Sequence, residues 1–199
     1  MIVADPKAMK TIDLPAPGLD WGVWLAAAIA DAPACSRLIA AEATLQRLKA
    51  LAPTPARERP YTRSSLIVEG GDELTLVRWR RDLACTPHDH GTSDVTTMLV
   101  QGQIVERLWR WTGAGLVLVE ERAAMAPAVL ICQPGEIHDV HSPSGAVTVN
   151  LYRGGGGSMR MFDPVRRESI EVRHGCGAWL PVDAAMVVAR TLWASEETA

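Results

Sequence analysis

The sequence lacks several features that mark common functional classes. No apolar run approaches the roughly 20 residues that a membrane-spanning helix needs, so no membrane partner is expected. The formal net charge of −3 gives no basic surface, and nucleic acid is therefore not an expected partner either. The apolar stretch 24–30 is short and follows Asp13 and Asp20 rather than a basic segment, which is not the pattern of a signal peptide.

The cysteines also lack a pattern that would point to a zinc site or a redox motif. All four are scattered along the chain with no Cys-x-x-Cys pair: Cys35, Cys85, Cys132 and Cys176. We interpret them as reduced thiols in a cytoplasmic protein, with disulfide pairing as the alternative.

The length and composition predict one globular domain. A chain of 199 residues that is 48% hydrophobic can bury a single core and is too apolar to be disordered. We expect a helical part over residues 1–55, a β-barrel over 60–175 and a C-terminal extension over 176–199. The expected assembly is a monomer or a homodimer.

The local pattern changes at Pro60. The alanine-rich segment 20–51 predicts two helices divided at Pro33. After Pro60, short runs rich in β-branched residues alternate with turn residues, which predicts an all-β barrel or sandwich. Hairpin turns are expected at 70–72 and 113–115, and a short helix at 183–193. The predicted strands are 64–69, 73–80, 96–100, 104–111, 116–120, 128–132, 146–152 and 169–173.

Four of the five histidines lie in two short clusters about fifty residues apart. His88 and His90 are spaced i, i+2, so on a strand both would point to one face, and His138 on a distant strand could add a third nitrogen. Three neutral nitrogen ligands leave coordination positions open, as metal catalysis requires. The alternative is that these are polar residues on barrel loops. His141 and Asp94 are weaker candidates for an additional ligand.

These motifs resemble those of the cupin superfamily, and more closely its thiol dioxygenase branch, typified by cysteine dioxygenase. The resemblance runs from about Pro60 to Asp163. It rests on the following segments: Tyr61-Thr62-Arg63, Leu76-Val77-Arg78-Trp79, His88-Asp89-His90, Leu99-Val100-Gln101-Gly102, Gly135-Glu136-Ile137-His138, Val149-Asn150-Leu151-Tyr152 and Met161-Phe162-Asp163.

The resemblance implies a cupin (double-stranded β-helix) barrel with a specific chemistry. His88, His90 and His138 would hold Fe(2+), and a small thiol substrate would react with O2 to give a sulfinic acid. Arg63 would bind the substrate carboxylate through its planar guanidinium. The remaining site residues implied are Tyr152 as the catalytic tyrosine, and Tyr61, Trp79 and Val77 as pocket residues.

The chain departs from the family pattern at two places. The family usually has Ser-x-His-x-Tyr on the last strand, where this chain has Thr148, Asn150 and Tyr152. Thr148 can replace the serine hydroxyl, but the amide of Asn150 does not titrate near neutral pH. We therefore expect the substrate to be a mercaptocarboxylic acid or a modified cysteine rather than plain cysteine. Val95 stands where some members carry a cysteine that crosslinks to the tyrosine, so Tyr152 is expected to be unmodified.

Two other functions remain open at this level. One is a different metal-dependent cupin enzyme, an isomerase or a dioxygenase of a non-thiol, that uses the same three histidines. The other is a non-enzymatic cupin that binds a small anion through Arg63.

Overall fold

The computed structural model describes residues 53–69, 71–154 and 158–194. Within these ranges the protein is built from ten strands and one single-turn 3-10 helix, Ala184–Met186. No helix in the described part of the chain is long and apolar enough to cross a membrane. The two helices expected within residues 20–51 lie outside the described residues. The strands are β1 (Tyr61–Glu69), β2 (Asp72–Trp79), β3 (Asp94–Trp111), β4 (Leu116–Met125), β5 (Ala128–Cys132), β6 (Ile137–His141), β7 (Ala146–Arg153), β8 (Met159–Asp163), β9 (Glu168–Val172) and β10 (Val187–Leu192).

The long strand β3 joins the two halves of the barrel. Its first half pairs with β7 and β5, and its second half pairs with β4 and β6. The strands β1 and β2 extend the first half in the order β1-β2-β7-β3. On the other side, β8, β9 and β10 form a three-stranded sheet. All named pairings are antiparallel, which agrees with the expected all-β barrel.

One glycine allows the close approach of β3 to the start of β7. Gly102 has φ +83°, a conformation that side chains with a Cβ rarely adopt, and a Cβ there would lie 2.2 Å from the carbonyl oxygen of Gly145. Two separate strands were expected at 96–100 and 104–111. The structure joins them in one strand, in which the pairing with β7 continues through a register shift after Leu99 and ends at Gly102.

The expected C-terminal helix at 183–193 is wrong. Only Ala184–Met186 form a helical turn, and β10 then pairs with β9. The segment contains Val187, Val188 and Thr191, β-branched residues that favour a strand once an open sheet edge is available. The ladder is supported by an ion pair of 2.6 Å between Arg190 and Glu168. Two other expectations are confirmed. The strand β5 has the expected bounds, and hairpin turns form at both expected places.

The inner face of the barrel carries both the core and a cavity. Side chains from β1, β2, β3 and β7 alternate inward, as the register Arg63↔Val77 and Val77↔Thr148 shows. The opposite face of β2 and β7, with Leu76 and Val149, is equally buried. These two strands are therefore buried on both faces, which holds their inward side chains in place.

Candidate metal centre and substrate cavity

Backbone pairing brings the two histidine clusters together. The N–H of His88 donates to the carbonyl of His138 at 2.8 Å, and the N–H of His138 donates back at 2.9 Å. Residues that exchange both hydrogen bonds lie directly opposite each other, so their side chains share a face. His90, two residues along, joins them. The ligand nitrogens of the three histidines all lie within 4.8 Å of one another.

Second hydrogen bonds orient two of these imidazoles. Nδ1 of His88 lies 2.9 Å from the carbonyl oxygen of Thr86, and Nδ1 of His138 lies 2.6 Å from Oε1 of Glu106. Both partners can only accept, so each Nδ1 carries the proton and each Nε2 presents a lone pair to the centre. This arrangement, in which the remote ring nitrogen donates to a carbonyl or a carboxylate, is typical of metal-binding histidines.

The centre is also electrostatically suited to a metal ion. Burial, followed by the influence of His138, lowers the pKa of His88 to about 3. Burial and the neighbouring histidines hold the pKa of His90 well below its usual value. These imidazoles are neutral at pH 7, as ligands must be. The donor set fits Fe(2+), and it also fits other divalent metals that bind imidazole.

Glu106 is a site residue that our sequence reasoning missed. It is 3% exposed, accepts from His138, and also accepts from Nε of Arg122 at 2.7 Å. Burial alone would raise the pKa of this carboxyl, but the hydrogen bonds and charges of His138 and Arg122 hold it below the usual value. The signal was present in the sequence, because a glutamate between Ile104 and Leu108 on a strand shares their inward face.

The other candidate ligands lie outside this group. Among the described residues the metal-binding group contains only the three histidines, so Asp94 and His141 are not part of it. Asp89, between His88 and His90, accepts from the backbone N–H and the Nε of Arg160 at 3.0 and 3.2 Å. It ties the histidine segment to β8.

The cysteines near the site are not ligands either. Cys85 is buried and accepts from the backbone N–H of Val140 at 3.1 Å, and burial raises the pKa of its thiol to about 12. The three described cysteines, Cys85, Cys132 and Cys176, are free, as expected.

Tyr152 lies next to the histidines at the wall of the cavity. Its ring centroid is 5.4 Å from that of His90. Burial raises the pKa of the phenol, and the Arg63 guanidinium only partly opposes this, so the hydroxyl is protonated at pH 7 and can donate a hydrogen bond. Val95 is the register partner of Tyr152 on β3, so the residue beside the ring is one that cannot crosslink to it.

The other predicted site residues divide into two groups. Arg63, Tyr61, Trp79, Val77 and Asn150 line the cavity together with Tyr152 and the three histidines. Thr148 is not among the lining residues; it accepts from Nε1 of Trp79 at 3.0 Å and so fixes the indole. The hydroxyl of Tyr61 accepts from the N–H of Ala178 at 2.7 Å, which anchors the segment after β9 to the cavity wall.

The second residue missed from the sequence is Glu73. It lines the cavity and forms a 2.5 Å ion pair with Arg63. Its carboxylate also accepts from the hydroxyl of Ser65 and lies 3.5 Å from Nε2 of His174. Burial would raise the pKa of Glu73, but Ser65 and Arg63 outweigh this and lower it. Alternation along β2 places Glu73 on the same face as Val77 and Trp79, so the sequence could have predicted that Glu73 points into the barrel.

Comparison with known proteins gives distant structural neighbours only. No protein-family model matches the chain, and no curated protein matches it. An uncharacterised conserved protein with a double-stranded β-helix domain from Klebsiella pneumoniae is 12% identical, with a TM-score of 0.47 over 57% of this chain and 87% of that one. A cupin superfamily protein from Desulfitobacterium hafniense is 13% identical, with a TM-score of 0.40 over 49% and 80%. An oxalate oxidase in complex with glycolate is 14% identical, with a TM-score of 0.46 over 54% and 58%. What the site can do therefore depends on its own residues.

Proposed function

We propose that this protein is a cupin-type, iron(II)-dependent thiol dioxygenase that converts a small thiol to its sulfinic acid with O2. The observation that carries the proposal is the group of three histidines whose ligand nitrogens lie within 4.8 Å of one another in the lining of the cavity, with Tyr152 beside His90. In the overall reaction R–SH and O2 give R–SO2H. Both oxygen atoms enter the product, and sulfur supplies the four electrons that reduce O2.

The residues of the chain have separate parts in this reaction. An iron(II) ion held by His88, His90 and His138 would supply open coordination positions for a thiolate and for O2. Tyr152, whose ring lies beside that of His90, would donate a hydrogen bond to the reacting group. Val77 and Trp79 line the cavity and would limit the size of the substrate. Arg63, in its ion pair with Glu73, would meet the polar end of the substrate.

The competing functions are less well supported. A sensor that binds a small anion through Arg63 would have to compete with the ion pair that Glu73 already forms with this residue. Another metal-dependent cupin reaction would use the same three histidines, and the identity of the product in the experiment below distinguishes it.

Oxygen consumption tests the proposal. Protein loaded with one equivalent of Fe(2+) is mixed with cysteine, cysteine derivatives and mercaptocarboxylic acids, and the products are identified by mass. We expect oxygen uptake with at least one thiol and a product heavier by two oxygen atoms, with no uptake by the His88→Ala variant. Stoichiometric iron without uptake for any thiol contradicts the proposal.

A further inference from the structure

The residue expected to attract a substrate carboxylate is paired with a carboxylate of the protein itself. Arg63 and Glu73 lie on adjacent strands, their side chains are 21% and 6% exposed, and the ion pair measures 2.5 Å. Both residues line the same cavity as the histidines. The pair therefore presents a dipole to the cavity, and not the single positive charge of Arg63 alone.

The pairing changes which substrates the cavity attracts. Charges a few ångströms apart in a partly buried site are screened much less than in water, so both members of the pair act strongly on a nearby charged group. A carboxylate that approaches Arg63 is also repelled by Glu73. An ammonium group that approaches Glu73 replaces part of its contact with Arg63, and it also meets the lone pairs that the carboxylate still offers.

Asn150 lies on the same inner face as Glu73. In the ladder between β2 and β7 it stands two residues from Tyr152, which is the register partner of Glu73, and all three residues line the cavity. The Asn150 side chain is in hydrogen-bond contact with the Tyr152 phenol. Glu73 is therefore the acceptor on this face that an ammonium group would meet.

We propose that Glu73 determines specificity by making the cavity selective for thiols that carry an ammonium group over thiols that carry only a carboxylate. This inference rests on the thiol dioxygenase function proposed above, but it concerns recognition and not the oxidation. The selectivity changes the expected substrate, because a mercaptocarboxylic acid without an ammonium group becomes a poor substrate.

Anaerobic binding to the cobalt(II)-loaded protein tests the inference without any oxygen chemistry. Cysteamine carries only the ammonium and 3-mercaptopropionate only the carboxylate, and each is titrated while the thiolate-to-cobalt absorption is followed. For the unaltered chain we expect cysteamine to bind at least about tenfold more tightly. Glu73→Gln keeps the size of the side chain and releases Arg63, so the order should reverse. Glu121→Gln, an exposed carboxylate on β4, is the matched control and should change neither affinity.

A second variant separates specificity from loss of structure. Arg63→Gln removes the cation and leaves Glu73, so it should weaken 3-mercaptopropionate further and retain cysteamine. If cobalt does not bind, the same titrations are followed by calorimetry on the metal-free protein, with the same order of affinities expected. Tighter binding of 3-mercaptopropionate by the unaltered chain, or an unchanged order in folded Glu73→Gln, overturns the inference. A clear preference for cysteamine without any oxygen uptake would support it and contradict only the proposed oxidation.

Discussion

The carboxylate behind His138 should control how tightly the centre holds its metal. Glu106 accepts the Nδ1 proton of His138 at 2.6 Å and is itself held by Arg122 at 2.7 Å. Such a carboxylate fixes the ring so that Nε2 faces the metal, and it makes that nitrogen a stronger donor. A metal-bound imidazole gains partial positive charge on Nδ1–H, so the hydrogen bond strengthens when the metal binds.

The size of the effect follows from this coupling. Loss of the partner of a metal-binding histidine costs about 10–100-fold in metal affinity, or about 1.4–2.7 kcal/mol. Glu106→Gln keeps an oxygen able to accept from His138 but removes the negative charge, so we expect a loss of about tenfold. Glu106→Ala removes the acceptor as well and should lie near a hundredfold.

The affinity is measured by competition for zinc(II) or cobalt(II) against a chromophoric chelator at pH 7.5. Arg122→Gln is the informative control, because it removes the outer ion pair and leaves the contact between Glu106 and His138 intact. Its loss should be clearly smaller than that of Glu106→Gln. The reasoning is refuted if Glu106→Gln, shown to be folded by its circular dichroism, holds the metal as tightly as the unaltered protein.

Three further predictions concern stability at acid pH, Gly102 in β3 and Tyr152. Because the pKa of His88 is lowered in the folded protein, the unfolded chain binds a proton at this residue at a pH where the folded chain does not. The free energy of unfolding of the metal-free protein should therefore fall by about 1.4 kcal/mol per pH unit for His88 as the pH falls from 6.5 towards 3, and His90 adds to the loss in the same direction. A free energy of unfolding in urea that does not depend on pH contradicts this. Gly102→Ala should lower the free energy of unfolding by more than about 3 kcal/mol, because of the positive φ and the clash with a backbone oxygen. Gly113→Ala, whose Cβ meets nothing within 4 Å, should lower it by about 1 kcal/mol. Equal melting temperatures of the two variants would contradict this. Tyr152→Phe should keep the metal and lower turnover about a hundredfold, which oxygen uptake checks.

The metal centre was predictable because its signal is local and chemical. Two histidines at i, i+2 must share a face on an extended chain, and His138 follows a turn on a later strand from which it could add a third nitrogen. The order of the strands was less accessible. That His88 lies opposite His138 is a long-range pairing, and only the structure shows the exchanged hydrogen bonds that create it.

Charge compensation was the part that single residues could not reveal. Arg63 was expected to bind a substrate carboxylate because the segment in which it stands resembles a family motif, yet its partner Glu73 lies ten residues away on the next strand. The register of a hairpin decides such pairs, and a bulge between Ser65 and Ile67 shifts it here. The C-terminal helix failed for a related reason, since the open edge of β9 is a tertiary feature that overrides local helix propensity.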